Sequence, residues 1–306
     1  MSGSLLKIQD LRKNFGSVSP VKGISFQIER GSCTALLGPN GAGKTTTLRM
    51  LAGLMEPSGG SVEYSGSQTG NWRNRIGYLP QYPKFYGWMT GTEYITFSAK
   101  ISGLRGKKVA KRTEEVLAQV GLKDAAKRRI SGYSGGMKQR LGLAQALVHE
   151  PEILLLDEPV SALDPLGRRE VMEMIRELRG DEITVLFSTH VLHDAEEICD
   201  EMVFMVDGKI AEQGALTELR ERYRQPIIFI SIESDENGMK WLQSLETRSF
   251  VKEAVMGRDW AKLTVNDVGV VRNKLMEEIT LNRIPLVRFE VGSSSLEDMF
   301  MKVVSQ

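Results

Sequence analysis

Gly38-Pro39-Asn40-Gly41-Ala42-Gly43-Lys44-Thr45-Thr46 is the stretch from which the fold of this 306-residue chain is predicted. It matches the G-x-x-x-x-G-K-[ST] pattern of a phosphate-binding loop. The apolar run before it, residues 33–37, is typical of a buried parallel strand. Apolar residues at 48, 51 and 54 after it have helical spacing. A strand therefore enters a helix through a loop that contains three glycines.

The chemistry of this loop follows from its geometry. Glycines allow successive backbone N–H groups to turn inward as an anion-binding nest, and the helix behind them adds its positive end. Lys44 would reach the β- and γ-phosphates of a nucleotide, and the Thr45 hydroxyl would ligate Mg²⁺. A glycine-rich turn with a stray lysine would explain the glycines, but not a strand, a lysine and a hydroxyl in register. We therefore predict that residues 38–46 bind a nucleoside triphosphate.

Composition and charge are those of an ordinary globular protein. Hydrophobic residues make up 41% and charged residues 26% of the chain, enough for the core of one large or two ordinary domains. The net charge of +1 argues against a dedicated nucleic-acid binder. The basic runs 105–108 and 127–129 are interpreted as solvated helix faces. Cys33 and Cys199 lie far apart in the sequence, which predicts neither a metal site nor a disulfide framework.

The sequence predicts a protein that does not itself cross a membrane. Residues 1–13 lack the apolar segment of a signal peptide, and no window reaches ~18 apolar residues. We expect a cytoplasmic location. If the protein works at a membrane, a separate chain has to form the pore.

The order of predicted elements indicates two domains. Strands at 5–15 and 21–28, joined by a turn at 16–20, precede the phosphate loop. Strands at 61–64, 76–81, 153–157 and 183–188 then alternate with helices, the clearest at 109–120, 137–149 and 166–179, which is typical of a mostly parallel α/β sheet. After a composition break near 217–225, the pattern becomes strand, helix, strand, strand, helix, strand, a split βαβ order closed by a short helix at 295–303.

A second motif supplies carboxylates for phosphoryl transfer. The apolar run 153–156 is followed by Asp157-Glu158-Pro159. Asp157, at the C-terminal end of this strand, is placed to hold Mg²⁺ through water, and Glu158 to polarise the attacking water as a general base. Taken alone, the tripeptide only marks the polar end of a strand. The phosphate loop upstream favours the catalytic interpretation.

Further motifs follow in a fixed order, and together they resemble the ATP-binding subunit of an ABC transporter over roughly residues 5–220. The matching residues are Phe15, Gln81, the signature core Ser134-Gly135-Gly136, the D-loop Ser161-Ala162-Leu163-Asp164 and His190. The resemblance implies an α/β P-loop NTPase cassette at 1–220, with a mixed sheet, an antiparallel β subdomain and a helical subdomain at about 82–150. A small α+β accessory domain at 221–306 is expected after it.

The resemblance also assigns roles, with ATP and Mg²⁺ as cofactors. Phe15 stacks on adenine, and the metal ligands are Thr45, Gln81 and Asp157. The catalytic group is Glu158, His190, Gln81 and Lys44. Two subunits face each other head to tail, so that Ser134-Gly135-Gly136 of one closes over the ATP held by the other.

Each of these residues also has a plainer interpretation. Phe15 alone is more often a core residue of a strand, and Gln81 a polar loop residue. His190 after a strand is usually a hydrogen-bonded structural histidine, and Ser134 an N-cap. The ordered set of motifs favours the functional interpretation.

One position departs from the family's usual signature, Leu-Ser-Gly-Gly-Gln. Here the motif is Tyr133-Ser134-Gly135-Gly136-Met137. Met137 cannot donate a hydrogen bond as glutamine does, and Gln139 lies about 200° further around the helix, so it is no replacement. The serine and the glycines that would hold the γ-phosphate are present, and we expect ATP hydrolysis.

The expected partners are integral membrane permease subunits and a second ATPase subunit, identical or different, with no nucleic acid. Residues 82–88 hold four aromatic side chains directly after Gln81, where the family docks its membrane subunit. We expect some of them to be exposed interface anchors and others to be local core. Residues 294–300 resemble the tail of ATPases that serve exporters with separate membrane subunits. These features predict a peripheral protein on the inner face of the cell membrane that drives export.

Two other functions are less consistent with the motifs. A soluble ATPase of the same superfamily acting on DNA or ribosomes would show a long coiled-coil insertion or two tandem cassettes, whereas this chain has one phosphate loop and no sustained heptads. A small-molecule phosphoryl transferase would not need the signature and D-loop motifs.

Overall fold

The computed structural model describes residues 3–66, 71–180, 183–293, 296–298 and 300. The chain divides into two compact units, Met1–Thr217 and Glu218–Ser305. Within the described residues, no helix combines the length and the apolarity that crossing a membrane requires.

Strands and helices are numbered separately, each in chain order. The strands are β1 (Ser4–Phe15), β2 (Val18–Glu29), β3 (Cys33–Leu37), β4 (Gly59–Tyr64), β5 (Ile76–Leu79), β6 (Ile153–Asp157), β7 (Thr184–Thr189), β8 (Glu201–Val206), β9 (Lys209–Ala215), β10 (Pro226–Ile232), β11 (Val251–Met256), β12 (Trp260–Val265) and β13 (Leu286–Ser293). The helices are α1 (Lys44–Leu51), α2 (Gly91–Ile101), α3 (Lys107–Gln119), α4 (Gly135–Leu147), α5 (Pro165–Gly180), α6 (Leu192–Ile198), α7 (Leu216–Arg222), α8 (Glu236–Ser244) and α9 (Val268–Leu281).

The main sheet of the first unit has the order β5-β6-β7-β3-β8-β9. Its neighbours are parallel from β5 to β8, and β9 is antiparallel to β8. β3, β6 and β7 are buried along their whole length, which explains their continuous apolar runs. Because the strands are parallel, one edge of the sheet carries the phosphate loop after β3, Asp157 at the end of β6 and His190 after β7. α/β proteins bind ligands at this edge. The mixed sheet confirms the predicted fold class.

A second sheet of this unit, β2-β1-β4, is antiparallel. The turn between β1 and β2 is shorter than the predicted turn at 16–20, because only Gly16 and Ser17 separate the two strands. Pro20 instead lies within β2. A proline has no N–H for the ladder, and it is tolerated here because β2 is the outer strand of this sheet.

The helical part of the first unit consists of α2, α3 and α4. Thr90 and Glu93 form a reciprocal capping box at the start of α2. Each helix carries a fully buried apolar side chain: Ile95 in α2, Val116 in α3 and Leu141 in α4.

Residues 192–215 carry no element in the sequence-based prediction, although they form α6, β8 and β9. The signal that could have revealed the β8–β9 hairpin is Asp207-Gly208, whose φ angles of 48° and 78° suit a two-residue turn. The fold also brings Cys33 and Cys199 together, with their Sγ atoms 3.4 Å apart, although 166 positions separate them.

The second unit is built on the antiparallel sheet β11-β12-β10-β13. Its element order matches the predicted split βαβ arrangement. α8 and α9 contribute Trp241, Leu242, Val271 and Leu275 to a core that also contains Ile230. The predicted closing helix at 295–303 lies largely outside the described residues.

Candidate active site

The phosphate loop is held in a shape that its glycines make possible. Gly43, the N-cap of α1, has φ 102°. A Cβ on Gly43 would lie 2.3 Å from the Pro20 carbonyl oxygen, and a Cβ on Gly38 would lie 2.2 Å from the Met205 carbonyl oxygen. Both positions therefore exclude any side chain, because the loop passes close to the backbone of β2 and β8.

Lys44, the first residue of α1, bends back over this loop. Its side chain is only 5% exposed, and Nζ donates to the carbonyl oxygens of Gly38 at 2.7 Å and Pro39 at 3.1 Å. Nζ also lies 3.6 Å from Oε1 of Glu158. Burial lowers the pKa of Lys44, and the charge of Glu158 opposes that shift. A cation is thus held at the mouth of the loop.

Asp157 ends β6 in a buried position, with 1% of its surface exposed. Its Oδ1 accepts hydrogen bonds from the Thr45 hydroxyl and from the Ser188 hydroxyl, each at 2.9 Å. Burial raises the pKa of Asp157, while these two hydrogen bonds lower it. The structure therefore brings together Thr45 and Asp157, both predicted metal ligands. Hydroxyl and carboxylate oxygens are suitable ligands for Mg²⁺.

The carboxylate of Glu158 lies close to all the other predicted catalytic side chains. Its Oε2 accepts from Gln81 Nε2 at 3.2 Å and lies 3.2 Å from His190 Nδ1. Its backbone is in the left-handed region, with φ 45°. Such a conformation is uncommon for glutamate and occurs often at functional sites. Lys44 approaches the other carboxylate oxygen, so three predicted partners surround one buried acid.

Ser188 is a site residue that sequence reasoning missed. It is fully buried near the end of β7, where it donates to Asp157 and accepts from the Glu158 backbone N–H at 3.0 Å. One hydroxyl thus contacts the carboxylate of Asp157 and the backbone of Glu158. The signal in the sequence is slight, because Ser188 only ends the apolar run 185–187 of β7, the strand next to β6.

Phe15 lies at the end of β1 and is not a core residue. Half of its surface, 51%, is exposed, and Lys13 Nζ lies 5.0 Å from the centre of its ring. The side chain is therefore available to a planar ligand, and it already makes a cation–π contact.

The signature residues and the D-loop line a separate cavity of about 310 Å³. Ser134 caps α4 by accepting from the Met137 backbone N–H at 3.2 Å, and Gly135 and Gly136 begin the helix. The opposite wall contains Ala162, Leu163 and Asp164. None of the residues that line this cavity belongs to the phosphate loop 38–46, all of which the structure describes.

The D-loop connects this cavity to the carboxylates. Ser161 donates to the Glu158 carbonyl oxygen through its backbone N–H at 3.3 Å and through its hydroxyl at 3.2 Å. Asp164 caps α5 by accepting from the Gly167 N–H at 3.0 Å. Gln139 is buried within α4, so it does not lie on the surface that presents Ser134.

The aromatic segment after Gln81 is divided between core and surface. Phe85 packs edge-on against Tyr94, with ring centres 5.0 Å apart. Tyr82, Tyr86 and Trp88 are exposed, Trp88 by 71%. This agrees with the expectation that some of these aromatic side chains are exposed and others are local core.

Comparisons with known proteins agree with this geometry. The ABC transporter family model matches residues 21–161, and the model for the C-terminal domain of DrrA1-3-like ATP-binding proteins matches residues 214–304. An uncharacterized ABC transporter ATP-binding protein, YxlF of Bacillus subtilis (strain 168), is 47% identical over 301 residues, which cover 98% of this chain and 99% of the relative. The chain belongs to the ABC transporter family. It is an ATP-binding subunit, and the cassettes of this family are ATPases.

Named relatives and solved structures extend the match. The bacitracin transport ATP-binding protein BcrA of Bacillus licheniformis is 34% identical, covering 98% of this chain and 97% of its own. The linearmycin resistance ATP-binding protein LnrL of Bacillus subtilis (strain 168) is 31% identical, covering 99% of both chains. A solved ATP-binding subunit of an ABC transporter superposes with a TM-score of 0.64 at 31% identity, covering 72% of this chain and 93% of its own.

Proposed function

We propose that this ABC subunit drives export of a substrate through a separate membrane permease by ATP-dependent head-to-tail pairing of two cassettes. Residues 1–220 are the cassette, and residues 221–306 are an accessory domain. The export assignment is supported by relatives named for bacitracin transport and linearmycin resistance, which this chain resembles over almost its full length.

One half of the ATP site lies within each chain. The Lys44 ammonium now donates to carbonyl oxygens of the loop. With ATP bound, it would donate to the β- and γ-phosphates instead, together with the backbone N–H groups of residues 38–46. Phe15 would stack on the adenine. The oxygen atoms of Thr45, Asp157 and Gln81 would hold Mg²⁺, which when bound neutralises charge on the phosphates.

Glu158 is the proposed general base for hydrolysis. The attacking water would form a bond to the γ-phosphorus while its proton moves to a Glu158 carboxylate oxygen, and the bond to the ADP oxygen breaks. Gln81 donates to Oε2 of this carboxylate, and His190 Nδ1 lies 3.2 Å from the same oxygen, so both side chains orient the carboxylate. Both would also contact the γ-phosphate. Ser188 holds its backbone in place.

The observation that carries head-to-tail pairing is the separation of the two half-sites. Ser134-Gly135-Gly136 present the exposed, positive end of α4 in a cavity that contains no phosphate-loop residue. Such a helix end is suited to a phosphate that its own chain does not hold there. A second cassette, identical or different, would bring its ATP against that surface. Hydrolysis would remove the bridging γ-phosphate and let the pair open.

The exposed aromatic side chains after Gln81 are the proposed docking surface for the permease. Tyr86 contacts Trp88 and Phe97, with ring centres 6.1 and 6.4 Å from its own, and Tyr82 is exposed nearby in sequence. Aromatic residues are common anchors of protein interfaces. Because Gln81 contacts Glu158 and begins this segment, opening of the ATP site would be transmitted to the permease. The subunit would therefore lie on the cytoplasmic face of the membrane.

The proposal is tested with Glu158→Gln, compared with Glu177→Gln, which alters an exposed acid on α5. Loss of the general base is expected to slow hydrolysis at least about a hundredfold while ATP still binds. With saturating ATP and Mg²⁺, gel filtration with light scattering is expected to show a Glu158→Gln dimer. The Glu177→Gln protein is expected to hydrolyse ATP normally. A Glu158→Gln protein that stays monomeric and turns over normally would exclude this mechanism.

The alternative, a soluble ATPase acting on DNA or ribosomes, differs in its partner. Purification of the chain from detergent-solubilised membranes is expected to bring down a polytopic membrane protein. Recovery of ribosomes or DNA in its place would favour the alternative.

A further inference from the structure

The loop between α2 and α3 and the first two turns of α3 concentrate positive charge. Between residues 94 and 113 there are six lysines and arginines and no acidic residue, although the whole chain has 40 basic and 39 acidic residues. We call Arg105, Lys107, Lys108 and Lys111 the basic edge. All four side chains are exposed.

Three of these cations are not neutralised within the described part of the chain. Lys111 lies 3.7 Å from Glu115, and the neighbouring Arg112 contacts Glu115 and Glu150. Arg105, Lys107 and Lys108 form no ion pair with any residue that the structure describes. Gly106, the N-cap of α3, adds no side-chain hydrogen bond, so the positive end of this helix is open beside them.

The basic edge is continuous with an exposed apolar surface. Arg105, Lys108 and Lys111 line a cavity of about 610 Å³ that also includes Ser102, Arg112 and the acids Glu115 and Glu150. Ser102 also lines the adjoining cavity with Phe97 and Ile101. Phe97 and Ile101 are exposed near the end of α2. Phe97 in turn contacts Tyr86, part of the surface proposed for the permease.

We propose that the basic edge, together with Phe97 and Ile101, binds the anionic headgroups of phospholipids directly. Exposed cations beside aromatic and aliphatic side chains suit the boundary between headgroups and acyl chains. The cations would contact the anionic headgroups, and the apolar side chains would contact the acyl chains. The location of the basic edge also favours lipid contact, because it adjoins the surface that faces the permease in the proposed function. The inference rests on that function only for its place at a membrane. Lipid contact would hold and orient the cassette independently of the permease.

The test is sedimentation of the full chain with vesicles, without any permease. Vesicles of phosphatidylglycerol and phosphatidylcholine in equal amounts are expected to bind the chain, and pure phosphatidylcholine vesicles are not. The triple variant Arg105→Gln, Lys107→Gln, Lys108→Gln is expected to bind roughly a hundredfold more weakly, about fivefold for each charge lost. Added salt is expected to weaken binding of the unaltered chain, because exposed charges are screened.

A matched control removes three charges elsewhere, at the exposed positions Lys252→Gln, Arg258→Gln and Arg272→Gln of the second unit. This control is expected to keep vesicle binding, and both triple variants are expected to keep the ATPase rate. Ile101→Ser is expected to weaken binding severalfold through lost apolar burial.

Equal loss of binding in the two triple variants would overturn the inference, since the position of the charges would then not matter. Stronger binding to random duplex DNA than to anionic vesicles would replace the lipid with a nucleic acid and overturn it too. Absence of vesicle binding, with the Glu158→Gln dimer and permease recovery intact, would refute lipid contact and leave the proposed function standing. Vesicle binding without that dimer would support lipid contact and refute the proposed function.

Discussion

Ser188→Ala removes one hydroxyl that contacts the Asp157 carboxylate and the Glu158 backbone N–H. In the folded chain, Ser188 is fully buried, accepts from the Glu158 N–H and donates to Asp157. Alanine leaves a buried N–H without an acceptor, which costs about 1–3 kcal/mol. For a unit of roughly 200 residues this lowers Tm by about 2–12 °C.

The same substitution is expected to change the pH dependence of catalysis. Burial raises the pKa of Asp157, and the hydrogen bonds from Ser188 and Thr45 oppose that rise. Without Ser188 the pKa of Asp157 rises further, so the carboxylate proposed to hold Mg²⁺ is lost at a higher pH. The acidic limb of the ATPase profile is expected to move to higher pH, and more Mg²⁺ is needed for half-maximal rate.

Thr184→Val is the matched control on the same strand. Thr184 is also fully buried and accepts from the Gly31 N–H at 2.9 Å, at the other end of β7. It is expected to lower Tm without changing the Mg²⁺ requirement or the pH profile. Calorimetry and ATPase rates measured over pH and Mg²⁺ concentration check both variants. A Ser188→Ala enzyme with the pH profile and Mg²⁺ requirement of the unaltered chain would refute the positioning role.

Two further predictions concern the loop and the docking surface. Lys44→Ala is expected to abolish ATPase activity by removing the cation proposed to contact the β- and γ-phosphates, and unchanged turnover in a phosphate-release assay would refute that role. Trp88→Ser is expected to reduce recovery of the permease from solubilised membranes while the ATPase rate of the isolated chain is retained. Full permease recovery with Trp88→Ser would remove Trp88 from the docking surface.

The sequence predicted best those features whose determinants are local. Residues 38–46 specify their own loop, since glycines, lysine and threonine occupy consecutive positions between one strand and one helix. β6 was predicted with its observed bounds, because a buried parallel strand is a continuous apolar run that ends where the carboxylates begin. The split βαβ order of the second unit is predicted in the same way, from the change between strand-like and helix-like spacing of apolar residues.

Features that depend on strand neighbours were not predictable from one sequence. Ser188 acts on Asp157 only because β6 and β7 are adjacent in the sheet, and the sheet order is a tertiary property. The proximity of Cys33 and Cys199 has the same origin, since β3 and β8 are neighbours. The predicted turn at 16–20 is longer than the observed one, because β2 is an outer strand and accommodates Pro20.

The basic run 105–108 shows a related limit. As a sequence it indicated a solvated face, and the side chains are indeed exposed. Its link to Phe97 and Ile101 through Ser102 emerges only once α2 and α3 are packed together.

The most direct test of the account is a structure of the Glu158→Gln protein with ATP and Mg²⁺. We predict two cassettes head to tail, with Ser134 Oγ of each within about 3 Å of a γ-phosphate oxygen on the ATP that its partner holds. A γ-phosphate enclosed by one chain alone, with Ser134 distant from every nucleotide, would contradict the central claim.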